Sequence, residues 1–320
     1  MNILITTKLP RTGFDSIENH TLIYPTETYF TPEDILDKLP ITDILVPTFD
    51  YPITAEMMDL APNLKLIANA GVGFNNINIE AATQRGIQVT NTPYPVIDPT
   101  AEQALTLMLS VAHNTAMLDR KLRLKNSPIQ FSVMQNLGIS IQGKTLGILG
   151  MGRIGQCLAQ KAQALGMSVI YHNRHQLDTS IEQKCHANYK SQEEVLQQSD
   201  FLSLNMPYMP ETHHLISTKE FSMMKTGAVL INTARGPIVD EAALITALKS
   251  KKLYGAGIDV FEFEPHISPE LLELDNVVLS PHIATGTTDC REDMARHVSK
   301  NINAFINHAS QYDKVNQLKK

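Results

Sequence analysis

Cysteine is scarce in this sequence and suits no cross-link. The 320 residues hold only Cys157, Cys185 and Cys290. An odd number, widely spaced and without C-x-x-C, argues against a disulfide framework or a zinc site and fits reduced thiols in a cytoplasmic protein. No metal is implied. Basic runs are missing too. The net charge is -6 and Lys319-Lys320 is only a tail, so nucleic acid is not an expected partner. No long apolar span occurs, and Met1 to Thr7 reads as a short strand without a basic leader, so no membrane association is expected. Low-complexity segments and repeats beyond a β-α alternation are absent.

What is present describes a soluble globular chain, 43% hydrophobic and 19% charged, long enough for two domains. Short apolar runs at 2–6, 21–24, 43–46, 64–70 and 87–90 alternate with polar helical segments, which predicts a small parallel sheet. Thr31-Pro32-Glu33-Asp34 starts one helix, with Thr31 as cap, proline at the first position and acids near the positive end. Asn69-Ala-Gly-Val-Gly-Phe74 follows directly on a strand, and its glycines expose backbone amides where α/β sheets bind ligands. A carboxylate nest and a plain strand-to-helix turn both fit it.

A long periodic helix is predicted from Pro99 to about Leu124, ended by Asn126-Ser127-Pro128 and crossing between domains. Residues 129–141 show no period and read as a loop or arm. Then comes Leu146-Gly-Ile-Leu-Gly-Met-Gly-Arg-Ile-Gly155, an apolar strand joined to a helix through glycines. Gly150 permits the turn, Gly152 lets phosphates approach the main chain, and Gly155 lets the helix pack on its strand. The helix amides then face the phosphate charge. Further strands are expected at 168–171, 201–205, 228–231, 255–259 and 277–279. Ser191-x-x-Glu194 and Ser217-x-x-Glu220 open helices as capping boxes, and Asp240 caps a third. A last helix, from about Asp289 to Ala309, returns to the first sheet. The expected fold class is therefore α/β, two doubly wound parallel-sheet domains. A flavodoxin-like substrate domain spans 1–98 plus 290–320, and a Rossmann dinucleotide-binding domain spans 99–289.

The second strand of a Rossmann unit usually ends in an acid that accepts bonds from the adenosine ribose. Here it ends His172-Asn173-Arg174-His175. Asn173 removes the carboxylate that would repel a 2′-phosphate, and Arg174 supplies a planar cation for it, so NADP(H) is expected over NAD(H). Three polar residues follow apolar strands of the second sheet: Arg235, Glu264 and His282. Reducing a ketone needs a proton donor, a cation to polarise the carbonyl and hold a carboxylate, and an acid that keeps an imidazole charged, and the three supply these together.

The sequence resembles the D-isomer-specific 2-hydroxyacid dehydrogenase family over nearly its whole length. The motifs are Gly147 to Gly155, Ser199-Asp-Phe-Leu-Ser-Leu-Asn-Met-Pro207 through Thr212, Met224 to Gly236, Gly257-Ile-Asp-Val-Phe-Glu-Phe-Glu-Pro265 and Ser280-Pro-His-Ile283. The resemblance implies that His282 is the acid/base, Glu264 its partner, and Arg235 the residue that binds the substrate carboxylate and ketone. It places that carboxylate on the amides of Val72 and Gly73. It implies cofactor contacts at Arg153 and Ile154 on the pyrophosphate, Arg174 near the ribose, and Met206, Pro207 and Thr212 along the dinucleotide. Thr233, Ala234, Asp259, Ala284 and Thr100 are implied near the nicotinamide.

The basic turn after Asn173 resembles the glyoxylate/hydroxypyruvate reductase branch, and Glu264 stands where the formate dehydrogenase branch has glutamine. The expected activity is reduction of a small 2-keto acid to the D-2-hydroxy acid with NAD(P)H, in a homodimer. Phe49, Tyr51, Phe74 and Tyr94 are the expected walls of the side-chain pocket. The alternative is an NAD(P)-sensing binding protein of the corepressor type, without turnover.

Overall fold

Parallel strands with both faces covered need near-continuous apolar runs, and those runs become the strands of two sheets. A computed structural model describes residues 1–49 and 51–318, so the tail Lys319-Lys320 lies outside the described residues. The chain divides into two units, residues 1–96 with 285–320 and residues 97–284. The divisions fall a few residues before the 98/99 and 289/290 boundaries expected from the sequence.

The smaller unit contains β1 (Asn2–Ile5), β2 (Thr21–Ile23), α1 (Pro32–Lys38), β3 (Ile44–Val46), α2 (Ala55–Asp59), β4 (Leu66–Ala68), α3 (Ile79–Gln84) and β5 (Gln88–Thr90). Its strands pair in parallel in the order β2-β1-β3-β4-β5, the flavodoxin-like order. The Thr31 hydroxyl accepts from the Asp34 amide, and the Asp34 carboxylate accepts in return from the Thr31 amide.

The larger unit runs α4 (Ile97–Ala112), α5 (Thr115–Leu122), β6 (Thr145–Leu149), α6 (Arg153–Ala164), β7 (Ser168–His172), α7 (Thr179–Lys184), β8 (Ala187–Tyr189), α8 (Gln192–Gln198), β9 (Phe201–Leu204), α9 (Thr218–Met223), β10 (Ala228–Asn232), α10 (Glu241–Lys249), β11 (Leu253–Ile258), α11 (Pro269–Leu272) and β12 (Val277–Leu279). The chain then re-enters the smaller unit as α12 (Thr288–Ile306), where Met294, Ala295, Val298 and Ile302 pack with Ile3, Ile5 and Leu66. The larger sheet is parallel in the order β12-β11-β10-β9-β6-β7-β8. Its topological switch falls between β6 and β9, where the glycine-rich turn leaves β6.

Two expectations need correction. The sequence shows no strand signal at Ala187–Tyr189, yet these residues form β8 at the sheet edge, pairing only with β7. A three-residue edge strand with one polar face carries too little pattern to be read in advance. The single helix expected from Pro99 to Leu124 is two, α4 and α5. Asn114 takes a left-handed conformation between them, at φ 56°. Its side chain accepts from the Tyr254 hydroxyl at 3.1 Å and donates to the Leu137 carbonyl at 3.0 Å, so contacts distant in sequence fix the break. The buried face of α4 (Ala101, Ala104, Leu107, Met108, Val111) lies on β11, where Gly255 and Gly257 leave room for Val111 and Leu107. Residues 129–141, expected as a loop or arm, hold no helix or strand.

Candidate active site

The glycine turn after β6 is built for close approach. Gly150 sits at φ +95°, and a Cβ there would lie 2.5 Å from the Met206 nitrogen. Gly155 passes so near the Gly150 carbonyl that a Cβ would lie 2.6 Å from its oxygen. Gly152, by contrast, caps α6 with no side chain, and a Cβ placed on it meets no heavy atom within 4 Å. Open space therefore adjoins the N-terminus of a twelve-residue helix, which is what a pyrophosphate requires. Arg153 is exposed beside this turn and Ile154 half-buried.

Asn173, expected beside the ribose, does something the sequence does not reveal. Its Oδ1 accepts from the Met151 amide at 2.7 Å, so the residue also shapes the glycine turn. Arg174 follows it, exposed.

Beyond β9, the Thr212 hydroxyl accepts from the Met209 amide at 2.8 Å and closes the turn that carries Met206 and Pro207. Asn205 Oδ1 and Thr233 Oγ1 are buried without a hydrogen-bond partner among the described residues. Orphaned polar atoms at the ends of β9 and β10 fit a polar ligand over the sheet. Together with the open Gly152, they fit a bound dinucleotide. Thr100, in the first turn of α4, and Ala284 are buried.

Arg235, Glu264 and His282 stand on three loops at the carboxyl ends of β10, β11 and β12. Asn232, at the end of β10, accepts from the Ala234 amide at 3.0 Å and donates to the Arg235 carbonyl at 3.1 Å, fixing the turn that presents Arg235. The next residue, Gly236, lies against the Phe261–Glu262 backbone, and any Cβ would overlap the Phe261 carbonyl. This contact brings the Arg235 loop onto the Glu264 loop. Glu264 accepts from the Phe261 amide at 2.9 Å through Oε1 and meets His282 Nδ1 at 2.9 Å through Oε2. The Arg235 guanidinium bonds the Ala234 carbonyl at 2.6 Å.

Burial pushes the Glu264 carboxyl up, but the bond and charge of His282, the Phe261 amide and the Arg235 charge outweigh it and hold it below the ordinary carboxylate value. Burial also lowers Arg235, against the opposing pull of Glu264. His282 itself sits at φ 51°, a left-handed conformation that costs energy outside glycine. Asp259 supplies the restraint. Expected near the nicotinamide, it is wholly buried and accepts from Ser280 Oγ at 2.5 Å and from the amides of Ile283 at 3.0 Å and Ala284 at 2.9 Å. Gln103 donates to the same Ser280 hydroxyl at 2.9 Å. Asp259 thus clamps the loop carrying His282.

In the smaller unit, Asn69 Nδ2 donates to the carbonyls of Gly71 at 3.1 Å and Gly73 at 2.8 Å, and Asn91 Nδ2 to that of Val72 at 2.8 Å. A trans peptide points its N–H opposite its C=O. Tying back the carbonyls of residues 71 and 72 therefore turns the amides of Val72 and Gly73 outward, and neither has a hydrogen-bond partner among the described residues. Phe49, Phe74 and Tyr94 are exposed at the carboxyl edge of the same sheet, and Tyr51 is half-buried. Asn69, Asn91, Asn232 and Gly236 shape these two loops in ways that the sequence reading missed. Their only signal is adjacency to the nest and to Arg235.

Fold and site define a nicotinamide-dinucleotide-binding oxidoreductase with doubly wound sheets. Residues 105–284 match the family described as "D-isomer specific 2-hydroxyacid dehydrogenase, NAD binding domain". The chain is 43% identical over 311 residues to a glyoxylate reductase of Thermococcus litoralis, covering 95% of this chain and 93% of that one. Among solved structures it is similar to the TT0316 protein of Thermus thermophilus, with TM-score 0.91, 36% identity, and 99% and 100% of the two chains covered. A glyoxylate reductase from Paecilomyes thermophila superposes with TM-score 0.88, 33% identity, and 98% of each chain covered. The chain belongs to the D-isomer-specific 2-hydroxyacid dehydrogenase family.

Proposed function

We propose that this protein reduces a small 2-keto acid, of the glyoxylate or hydroxypyruvate kind, to the D-2-hydroxy acid. The reduced nicotinamide supplies, when bound, the hydride taken up at C2. Arg235 and the amides of Val72 and Gly73 hold the substrate carboxylate, and the Arg235 charge polarises the ketone. Glu264 holds Nδ1 of His282, so the proton reaches the substrate oxygen from Nε2, and the carboxylate stabilises the imidazolium before transfer. Asp259 and Ser280 keep the His282 loop in place. The observation that carries this reading is the 2.9 Å pairing of His282 with Glu264, under the charge of Arg235.

NADP(H) is preferred over NAD(H). The support is Asn173, a neutral amide whose oxygen is already engaged by Met151, followed by the exposed guanidinium of Arg174. The enzyme works as a homodimer in the cytoplasm. The arm at 129–141 supports pairing, since Phe131 and Val133 are 96% and 90% exposed on a single chain. Three free thiols support a reducing compartment. No described helix is long and apolar enough to cross a membrane.

The deciding experiment is a panel of glyoxylate, hydroxypyruvate, pyruvate and a bulkier 2-keto acid, run with NADPH and NADH while absorbance is followed. Turnover of a small 2-keto acid, faster with NADPH, is the expected result. Tight cofactor binding without turnover on the whole panel would overturn the enzymatic reading in favour of a sensor of the corepressor type.

A further inference from the structure

Two carboxylates without a role in the proposed reaction are buried side by side. Glu241 is 5% exposed and the Glu262 side chain 11%. Each caps the other's backbone. Glu262 Oε2 accepts from the Glu241 amide at 3.0 Å, and Glu241 Oε2 accepts from the Glu262 amide at 3.2 Å. The remaining oxygen of Glu241 takes the Ser268 hydroxyl. The remaining oxygen of Glu262 meets His214 Nε2 at 2.6 Å. Paired buried carboxylates are costly unless donors answer them, and here two backbone amides, the Ser268 hydroxyl and, on Glu262, the imidazole of His214 do so.

His214 reaches this position at some expense. It is left-handed at φ 49°, held there by its own amide bonded to the Pro237 carbonyl at 2.9 Å. Its ring stacks on His213 at 4.0 Å and 19°, and Tyr208 reaches His213 in turn. Strain maintained by its surroundings is a mark of a positioned residue. The connections explain what is positioned. His214 closes the segment that bears Met206, Pro207 and Thr212. Glu262 lies two residues before Glu264, and Glu241 opens α10 just after the Arg235 loop.

We propose that His214 is a positioning residue. Its bond to Glu262 holds the segment with Met206, Pro207 and Thr212 in register with the Glu264 loop, so cofactor affinity and turnover both depend on a side chain that touches neither ligand. This rests on the reading of those three residues as dinucleotide contacts.

The test compares His214→Ala, His214→Gln and Glu262→Gln with the wild type. NADPH binding is followed by the cofactor's own emission, which no tryptophan of this chain obscures. Kinetic constants and melting temperature are measured alongside. Removing a charge-assisted bond is expected to weaken NADPH binding in His214→Ala on the order of tenfold, with kcat also reduced. His214→Gln, which keeps an N–H within reach of Glu262, is expected to recover most of the affinity. Glu262→Gln keeps an acceptor for the Glu241 amide and is expected to lose affinity severalfold while still folded. A lowered melting temperature with unchanged NADPH affinity and kcat in His214→Ala would overturn the proposal. If that variant does not fold, unchanged affinity in Glu262→Gln does so. Absence of keto-acid turnover in the wild type would end the enzymatic reading, while the ratio of NADPH affinities would still decide the role of His214.

Discussion

The loops around His282 and the nest around Val72 are both polar clusters at the carboxyl ends of parallel strands, yet they are ordered by opposite means. Around His282 charges answer charges. Glu264 meets His282 at 2.9 Å and feels Arg235, while Asp259 gathers three donors from the 280–284 loop. Around Val72 the carbonyls are answered by neutral amides. Asn69 and Asn91 pull carbonyls inward and leave two amides facing out. The difference matches the role proposed for each. A group that moves a proton has to change charge, so it needs partners sensitive to charge. A group that only anchors a carboxylate works best as a fixed dipole, preorganised and unchanged by pH.

Four measurements test this contrast. The largest effect is expected for His282→Ala. Loss of the proton donor should lower kcat by about two to four orders of magnitude and leave cofactor affinity unchanged, as read from steady-state kinetics and NADPH titration. Turnover within a few fold of wild type would remove His282 from the chemistry.

Next comes Gly236→Ala. A methyl group has no room against the Phe261 carbonyl, so the Arg235 and Glu264 loops must separate. Overpacking of this kind costs about 1–3 kcal/mol, visible as a lower denaturant midpoint together with reduced kcat. Wild-type values in both would show that the contact is dispensable.

Asn69→Ala should act on the nest alone. Releasing the carbonyls of Gly71 and Gly73 loses about 1–2 kcal/mol of hydrogen bonding. The Michaelis constant for every 2-keto acid should therefore rise severalfold, with kcat nearly constant. A fall in kcat at constant KM would reverse the division of labour between the two clusters.

The smallest effect is on the pH profile. Glu264 has its folded-state pKa held below the unfolded value by His282, the Phe261 amide and Arg235, acting against burial. Its contribution to stability is therefore present above the unfolded carboxylate pKa and is lost as the pH falls through the lower, folded one. The acid limb of both stability and kcat/KM should carry this titration, and Glu264→Gln should remove it. Asn69 and Asn91 carry no charge, so Asn69→Ala should leave the limb where it is. An acid limb unchanged in Glu264→Gln would count against the pairing.

The fold was largely legible before any coordinates. Apolar runs gave all five strands of the smaller sheet and six of the seven in the larger, because buried parallel strands must be continuously apolar. β8 escaped because a short edge strand need not be. The helix break at Asn114 escaped because its cause, the bonds to Tyr254 and the Leu137 carbonyl, lies far away along the chain. The candidate site was legible in its charged members, since Arg235, Glu264 and His282 each follow an apolar strand. Asn69 and Asn91 at the nest, and Asn232 beside Arg235, look like ordinary turn residues. Asn173 was read as a ribose neighbour, and its bond to the Met151 amide became visible only when β7 lay beside β6.

By itself, then, the sequence determined which segments are strands and helices, that a glycine turn opens α6, and which charged groups are available for chemistry. These follow from periodicity, turn chemistry and residue type, all of which are local. Packing across the chain settled that Asp259 clamps the His282 loop, that Gly236 seats Arg235 beside Glu264, and that His214 bonds Glu262. Each of those depends on backbone groups from separate strands meeting at hydrogen-bond distance, and such meetings are fixed by packing rather than by neighbours in the chain.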